Sequence, residues 1–269
     1  MRTALSPDER LERVRENMLA WRGPYLAPYD PQWIGGTLSI CGYGPSLADT
    51  WGLTIGPVMT TSGAHDFMLG KGVVPTSHVE LDPREHKAWL LTPHRKVRYF
   101  INSQCHPKLF EKLKGYDVTM WHSVTEDDKK RQVELIESIC PGLQMMTGGT
   151  NVGMRAICVA RHQGHTGFEL HGFDCSFRGA TQWAGEHMTK AYYSVRVSVD
   201  GEEFDTSDTM LQSTDDLINT MMMMPGCRFR VHGDGLLERR LRMLNADQAR
   251  ALAPGWWKPV NFVLNEAVA

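Results

Sequence analysis

The sequence lacks several features that would assign it to a well-marked class of proteins. Its six cysteines stand singly, with no Cys-x-x-Cys pair, so neither a disulfide framework nor a zinc knuckle is indicated. No apolar run approaches the roughly 20 residues of a membrane-spanning helix, and the N-terminal stretch has no apolar signal-peptide segment. We therefore expect a cytoplasmic globular protein with no membrane partner.

The chain also lacks an excess of either charge. It has 29 Lys and Arg residues against 31 Asp and Glu residues, and its formal net charge is -2. A general attraction to nucleic acid or to anionic lipid is therefore not indicated. The hydrophobic share of 42% over 269 residues is ordinary for a globular protein and allows a sizeable core.

Short apolar runs alternate with helical patterns through most of the chain. The runs predicted as parallel strands span 37–44, 56–64, 77–83, 97–104, 116–123 and 167–177. Helical spacing marks the intervening segments 106–115, 126–140 and 150–164. Strands that alternate with helices in this way indicate a parallel sheet covered on both faces. We predict an α/β fold with a Rossmann-like, doubly wound and mostly parallel sheet.

Three segments do not follow this alternation of strands and helices: the N-terminal helix, an insertion with a hairpin, and the C-terminal segment. Ser6 and Pro7 mark the start of an N-terminal helix. A polar insertion follows the sixth predicted strand, and Asp200-Gly201 predicts the turn of a β-hairpin within it. Trp256 and Trp257 near the C-terminus would dock on the body or on a second subunit, so a homo-oligomer is compatible with the sequence. We predict three parts, at 1–36, 37–245 (with the insertion and hairpin at about 178–206) and 246–269.

Two glycine loops follow predicted strands or open predicted helices. In an open parallel sheet, ligands bind beyond the carboxyl ends of the strands, where loop amides and helix N-termini collect. The first loop, which we expect to direct its N–H groups at a phosphate or carboxylate, contains Gly42, Gly44, Pro45 and Ser46, the last as a helix cap. The second loop contains Gly148, Gly149, Thr150 and Asn151. Neither has the full G-x-G-x-x-G or P-loop pattern.

Acidic and imidazole side chains follow other predicted strands. Glu80 and Asp82 share one strand face, where two carboxylates can hold Mg²⁺ against the phosphates of a nucleotide. In the other interpretation, Asp82 caps the following turn and Glu80 pairs with a lysine or arginine. His65 and Asp66 are candidates to orient or deprotonate an acceptor hydroxyl. Asp174 stands at the end of a strand, where it can bind a ribose, a metal or a substrate amine.

Four segments resemble known nucleotide-using enzymes. CGYGPSLAD resembles the nucleotide-binding opening of bacterial sialyltransferases. GAHDFMLGKGVVPTSHVELDP, TGGTNVGMRAICVARHQG and FELHGFDCSF resemble the 6-hydroxymethylpterin diphosphokinase MptE-like domain, which also occurs in motility-associated flagellin glycosyltransferases. The similarity covers roughly residues 37–177. It implies that the two glycine loops meet the nucleotide, that Glu80 and Asp82 meet the metal or donor, and that Asp174 meets the donor or acceptor.

The resemblance also implies a reaction. It is either transfer of pyrophosphate from ATP to a pterin alcohol with Mg²⁺, or transfer of a nonulosonic sugar from its CMP donor. We predict a nucleotide-dependent transferase, with diphosphokinase-like activity first and a CMP-sugar glycosyltransferase as the alternative. Its partners are then a nucleotide donor and a small hydroxyl acceptor. The chain departs from the family in its insertion and in having no recognisable glycosyltransferase partner domain, so a pterin acceptor does not follow.

Two other classes of function stay open. The chain can be a non-catalytic binding or assembly protein built on a nucleotide fold. It can also be a Rossmann methyltransferase, although Ser39 and Cys41 stand where an acidic residue is expected before the glycines.

Overall fold

The computed structural model describes residues 5–27, 35–146, 151–185 and 195–244, and the backbone of a strand at 261–263. Within these residues, nine strands form one parallel sheet and two more form an antiparallel hairpin. The strands are, in chain order, β1 (Thr37–Cys41), β2 (Val58–Thr61), β3 (Ser77–Glu80), β4 (Arg98–Asn102), β5 (Asp117–Ser123), β6 (Met145–Met146), β7 (Gly167–His171), β8 (Val195–Val199), β9 (Glu202–Thr206), β10 (Arg228–His232) and β11 (Asn261–Val263). The hairpin consists of β8 and β9.

The helices cover both faces of this sheet. They are α1 (Pro7–Ala20), α2 (Leu47–Thr50), α3 (Ala64–Gly70), α4 (His86–Leu90), α5 (Pro107–Lys112), α6 (Lys129–Ile139), α7 (Val152–His162), α8 (Asp208–Met222) and α9 (Leu236–Met243). Helices α7, α8 and α9 pack on one face of the sheet, and α1 to α6 pack on the other. Among the described residues, none of these helices is both long and apolar enough to cross a membrane.

The strand order explains where a ligand site is expected. The sheet runs β11-β10-β7-β1-β2-β3-β4-β5-β6. The chain thus builds outward from β1 to β6, returns through α7, and continues on the other side of β1 with β7. The connections diverge between β1 and β7, which makes this pair the topological switch point. The predicted α/β fold with a doubly wound, mostly parallel sheet is confirmed.

The structure also shows the predicted start of the first helix and the predicted turn of the hairpin. Ser6 and Glu9 form a reciprocal capping box at the start of α1. Asp200 and Gly201 both have positive φ, 51° and 75°, as a tight hairpin turn between β8 and β9 requires.

The structure differs from the prediction at several boundaries. The second predicted strand ends at Thr61, because Ser62 turns the chain with a φ of 50° before α3 begins. The short strands β6 and β11 were not predicted, since two or three residues carry no measurable periodicity. The division into three parts stays a prediction, although β11 falls in the predicted tail and pairs with β10.

Candidate functional site

The loop after β1 is fastened to the loop after β7 by backbone hydrogen bonds. The N–H of Gly42 donates to the carbonyl of His171 at 2.8 Å, and the N–H of Gly44 donates to the carbonyl of Gly172 at 2.9 Å. A Cβ on Gly44 would overlap Asp174 and would lie 2.6 Å from the Gly172 oxygen. These glycines permit a close approach of two protein segments. The expectation that their amides face a ligand phosphate is wrong for these two groups.

Ser46 completes this fastening. Its N–H donates to Oδ2 of Asp174 at 3.1 Å, and its hydroxyl donates to the carbonyl of His232 at 3.5 Å. The side chain makes no capping hydrogen bond to α2, so the prediction that it caps this helix is wrong. Pro45, which precedes it, has no N–H to offer, and its carbonyl accepts from Ala48 at 3.1 Å.

Asp174 lies at the centre of the junction between β1, β7 and β10. Only 6% of Asp174 is exposed. A Cβ added to Gly235 would lie 2.5 Å from the Cα of Asp174. Burial raises the pKa of Asp174 to about 6, against the hydrogen bonds from Ser46, which lower it. A carboxyl group that titrates near neutral pH can anchor a loop and can also exchange a proton. Arg178 crosses the outside of this junction and pairs with both Asp49 and Asp234.

The second predicted glycine loop is described only at its end. Gly148, Gly149 and Thr150 lie outside the described residues, and Asn151 caps α7 with its side chain. The start of α7 comes close to the first glycine loop, because both contact the ring of Phe173. A Cβ on Gly153 would lie 2.7 Å from this ring, and a Cβ on Gly42 would lie 3.3 Å from it. A role of the second loop in nucleotide binding stays a prediction.

The two carboxylates predicted as metal ligands enclose a lysine. The ammonium of Lys87, on α4, lies 3.7 Å from Oε2 of Glu80 and 3.9 Å from Oδ2 of Asp82. It also donates to the hydroxyl of Ser62 at 2.5 Å. The Lys87 side chain is 10% exposed. A buried ammonium group, with three N–H donors, therefore faces three oxygen atoms.

The remaining oxygen positions of these carboxylates are also used. Oε1 of Glu80 accepts from the backbone N–H groups of Leu81 and Asp82 at 2.9 and 3.0 Å. Asp82 accepts from the backbone N–H of Arg84 at 3.0 Å and from its guanidinium. Although burial raises it, the pKa of Asp82 is lowered overall by the hydrogen bonds from Arg84 and the charge of Lys87. Of the two interpretations left open by the sequence, the capped turn and the paired Glu80 are observed.

A Mg²⁺ ion does not fit between Glu80 and Asp82 as they lie. Magnesium requires about six oxygen ligands at about 2.0–2.1 Å in octahedral geometry, and the ammonium of Lys87 lies between the available carboxylate oxygens. In the part of the chain that the structure describes, no group of three or more His, Cys, Asp or Glu side chains is placed to hold a metal. As they lie, Glu80 and Asp82 therefore do not fit the role of Mg²⁺ ligands, and a requirement of the protein for Mg²⁺ stays a prediction.

His65 and Asp66 hold α3 to a neighbouring loop. His65 is fully buried, its Nε2 lies 2.9 Å from the carbonyl of Thr92, and burial lowers its pKa. Its ring packs 4.9 Å from that of His78. Oδ1 of Asp66 accepts from the N–H of Thr92 at 3.0 Å. A fully buried imidazole cannot reach an acceptor hydroxyl, so the catalytic role predicted for His65 does not fit its position. Asp66 is only partly buried, and its predicted role stays a prediction.

The structure adds Tyr43, Ser62 and Lys87 to the residues considered from the sequence. A Cβ on Gly63 would lie 2.5 Å from the ring of Tyr43, so the loops after β1 and β2 touch. The N–H of Ala184 donates to the carbonyl of Tyr43 at 3.1 Å, which brings the insertion after β7 to the same place. The serine-glycine step after a run of β-strand residues was the available signal for the turn, and a basic residue close after the two acids was the signal for Lys87.

Comparisons with known proteins agree with this architecture. A family model described as 6-hydroxymethylpterin diphosphokinase MptE-like matches residues 29–180, which is more than half of the chain. The solved MAf glycosyltransferase from Magnetospirillum magneticum AMB-1 is similar, with a TM-score of 0.65 and 15% sequence identity. The match covers 93% of this chain and 43% of that one, so this chain spans less than half of its length. At this identity the likeness shows the fold alone. None of the curated proteins matches.

Proposed function

Since the chain belongs to the 6-hydroxymethylpterin diphosphokinase MptE-like family, we propose that it is a nucleotide-dependent transferase that moves a group from an activated nucleotide to a hydroxyl acceptor. The observation that carries the proposal is a continuous set of contacts at the carboxyl edge of the sheet. The loop after β7 contacts the loop after β1, Tyr43 contacts Gly63 after β2, and Ser62 contacts Lys87 beside the end of β3. Ligands of open parallel sheets bind at this edge.

Two cationic side chains at this edge are candidates to contact the phosphates of a donor. Lys87 is held beside Ser62, and the guanidinium of Arg84, whose side chain is 53% exposed, lies at the surface close by. In either predicted reaction, the acceptor oxygen bonds to the transferred atom while the bond to the leaving phosphate breaks. Negative charge then grows on the leaving oxygen, and a fixed cation and a hydroxyl donor stabilise it.

The acceptor hydroxyl must also lose its proton. Asp174 has a pKa suited to a proton acceptor, because burial raises it to about 6 and a base works best when its pKa is near the working pH. Since the residue is only 6% exposed, this role requires the junction around it to open when the acceptor binds. The insertion that begins at Arg178 reaches Tyr43 through Ala184 and would cover the acceptor.

Two donors are compatible with this site. The description of the family supports ATP as a pyrophosphate donor. The ammonium of Lys87 between Glu80 and Asp82 supports a donor that is handled without a divalent cation, such as a CMP-sugar, and the fold shared with a glycosyltransferase agrees with this second candidate.

Isothermal titration with ATP, GTP, CTP and CMP, each with and without Mg²⁺, tests the proposal. Metal-dependent binding of ATP would support diphosphokinase activity, and metal-independent binding of CMP would support sugar transfer. If the folded protein binds none of these nucleotides under either condition, the transferase proposal is rejected and a non-catalytic assembly role takes its place.

A further inference from the structure

We propose that Lys87, together with Ser62, takes the place of a divalent cation in this site, so that the protein binds the phosphate group of a nucleotide without metal. The inference rests on the proposed function, and it names how that site recognises its ligand.

The position of the Lys87 ammonium is the first support. It is enclosed by oxygen atoms of Ser62, Glu80 and Asp82 at 2.5, 3.7 and 3.9 Å. Oxygen atoms of carboxylates and hydroxyls are the ligands that bind a hard cation in proteins. Here the cation is supplied by the chain itself, on α4, and is permanently attached.

The charge balance is the second support. The carboxylates of Glu80 and Asp82 are matched by the cations of Lys87 and Arg84, so the four side chains together carry no net charge. A divalent ion placed among them would lie within a few ångströms of an ammonium group and would be repelled by it. If the divalent ion instead displaced the Lys87 ammonium from the carboxylates, a buried ammonium would be left without acceptors.

Ser62 is the third support, because it connects the buried ammonium to the surface. Its φ of 50° is uncommon for a serine and holds the residue at the turn between β2 and α3. The hydroxyl accepts a hydrogen bond from Lys87, so its own hydrogen is directed elsewhere. Since Ser62 is only partly buried, that hydrogen is able to reach a ligand oxygen. The ligand class is a nucleotide phosphate that accepts one hydrogen bond from Ser62 beside the Lys87 charge.

Titration of CMP and of ATP, each in excess EDTA and in Mg²⁺, provides the first test. For the nucleotide that binds, we expect affinities within about twofold of each other in the two buffers. Ser62→Ala should weaken binding about tenfold, as expected for the loss of one hydrogen bond to a charged group. The matched control is Lys108→Met. It removes an exposed lysine of α5 that pairs with Glu85, the residue before α4, and it should leave the affinity unchanged.

The outcomes separate this inference from the proposed function. Nucleotide binding that appears only with Mg²⁺, or Ser62→Ala that binds as the wild type does, overturns the role of Lys87 and Ser62 and leaves the transferase standing. Absence of binding in both buffers rejects the transferase itself.

Thermal unfolding in Mn²⁺ provides a second test that needs no nucleotide. The wild-type melting temperature should not rise with Mn²⁺, whereas Lys87→Ala exposes Glu80 and Asp82 to a free cation and should be stabilised by it. Stabilisation of the wild type by Mn²⁺ would overturn the inference. Should Lys87→Ala not fold, the wild-type response to Mn²⁺ and the affinity of Ser62→Ala decide the question on their own.

Discussion

Two neighbouring regions at the carboxyl edge of the sheet differ in what fills them. Between β1 and β7, backbone hydrogen bonds and glycines join two loops, and the carboxylate of Asp174 is nearly buried. Between β2 and β3, side chains meet instead, and Ser62 and Arg84 extend from the buried Lys87 to the surface. The glycines of the switch point therefore serve packing, and the groups able to contact an anion lie one strand further along the sheet.

The largest expected effect concerns the packed junction. Gly44→Ala should lower the free energy of unfolding by about 3 kcal/mol, because the new methyl group would overlap Asp174 and the backbone of Gly172. Gly52→Ala is the matched control, since no atom lies within 4 Å of its added Cβ, and it should change stability by less than about 0.5 kcal/mol. Urea unfolding measures both. Equal stabilities of the two variants would show that the junction is loose.

A smaller effect is expected at the charged region. Lys87→Met should lower the free energy of unfolding by about 2 kcal/mol, because Glu80, whose side chain is 5% exposed, loses its cationic partner. Adding Glu80→Gln to Lys87→Met removes the unpaired charge and should recover part of the loss. If the double variant unfolds at a lower urea concentration than Lys87→Met, the two residues are not coupled through charge.

The pH dependence of Asp174 distinguishes the two regions further. Its folded pKa of about 6 lies above the ordinary aspartate value of 3.8, so the folded state binds more protons between these values. Its contribution to stability is therefore greatest at low pH and is lost as pH rises through about 6. Asp174→Asn should be more stable than the wild type at pH 8 by on the order of 2 kcal/mol.

The same comparison near pH 3, below both pKa values, is the control. There Asp174 is mostly protonated in the folded and in the unfolded state, and the two proteins should differ little. The buried histidines His122 and His171, whose pKa values burial lowers to about 4 and about 3, destabilise both proteins equally as pH falls below 6.5. The difference between the two unfolding free energies therefore isolates Asp174, and a difference that does not change with pH would show that its carboxyl is not perturbed.

Much of the fold could be predicted, because alternation of strand and helix patterns is a property of long segments. The N-terminal helix and the Asp200-Gly201 turn carried strong local signals as well. The strands β6 and β11 could not be predicted, since each has only two or three residues and depends on its neighbour for pairing.

The edge of the sheet that holds the candidate site was predictable, but the directions of its side chains were not. His65 lies in the core, in the first turn of α3, after a left-handed Ser62 has redirected the chain, and the spacing of residues in the sequence does not predict that turn. Glu80 and Asp82 were expected on one face, yet whether a metal or a lysine lies between them depends on the unpredicted short helix that carries Lys87.

The most direct test is a crystal structure of the protein grown with its bound nucleotide, CMP or ATP, in the presence of EDTA. We predict a phosphate oxygen within hydrogen-bonding distance of the Ser62 hydroxyl, with the Lys87 ammonium still beside Glu80 and Asp82. A phosphate bound instead to the backbone amides of residues 42–46, with the loops after β1 and β7 separated, would contradict this account.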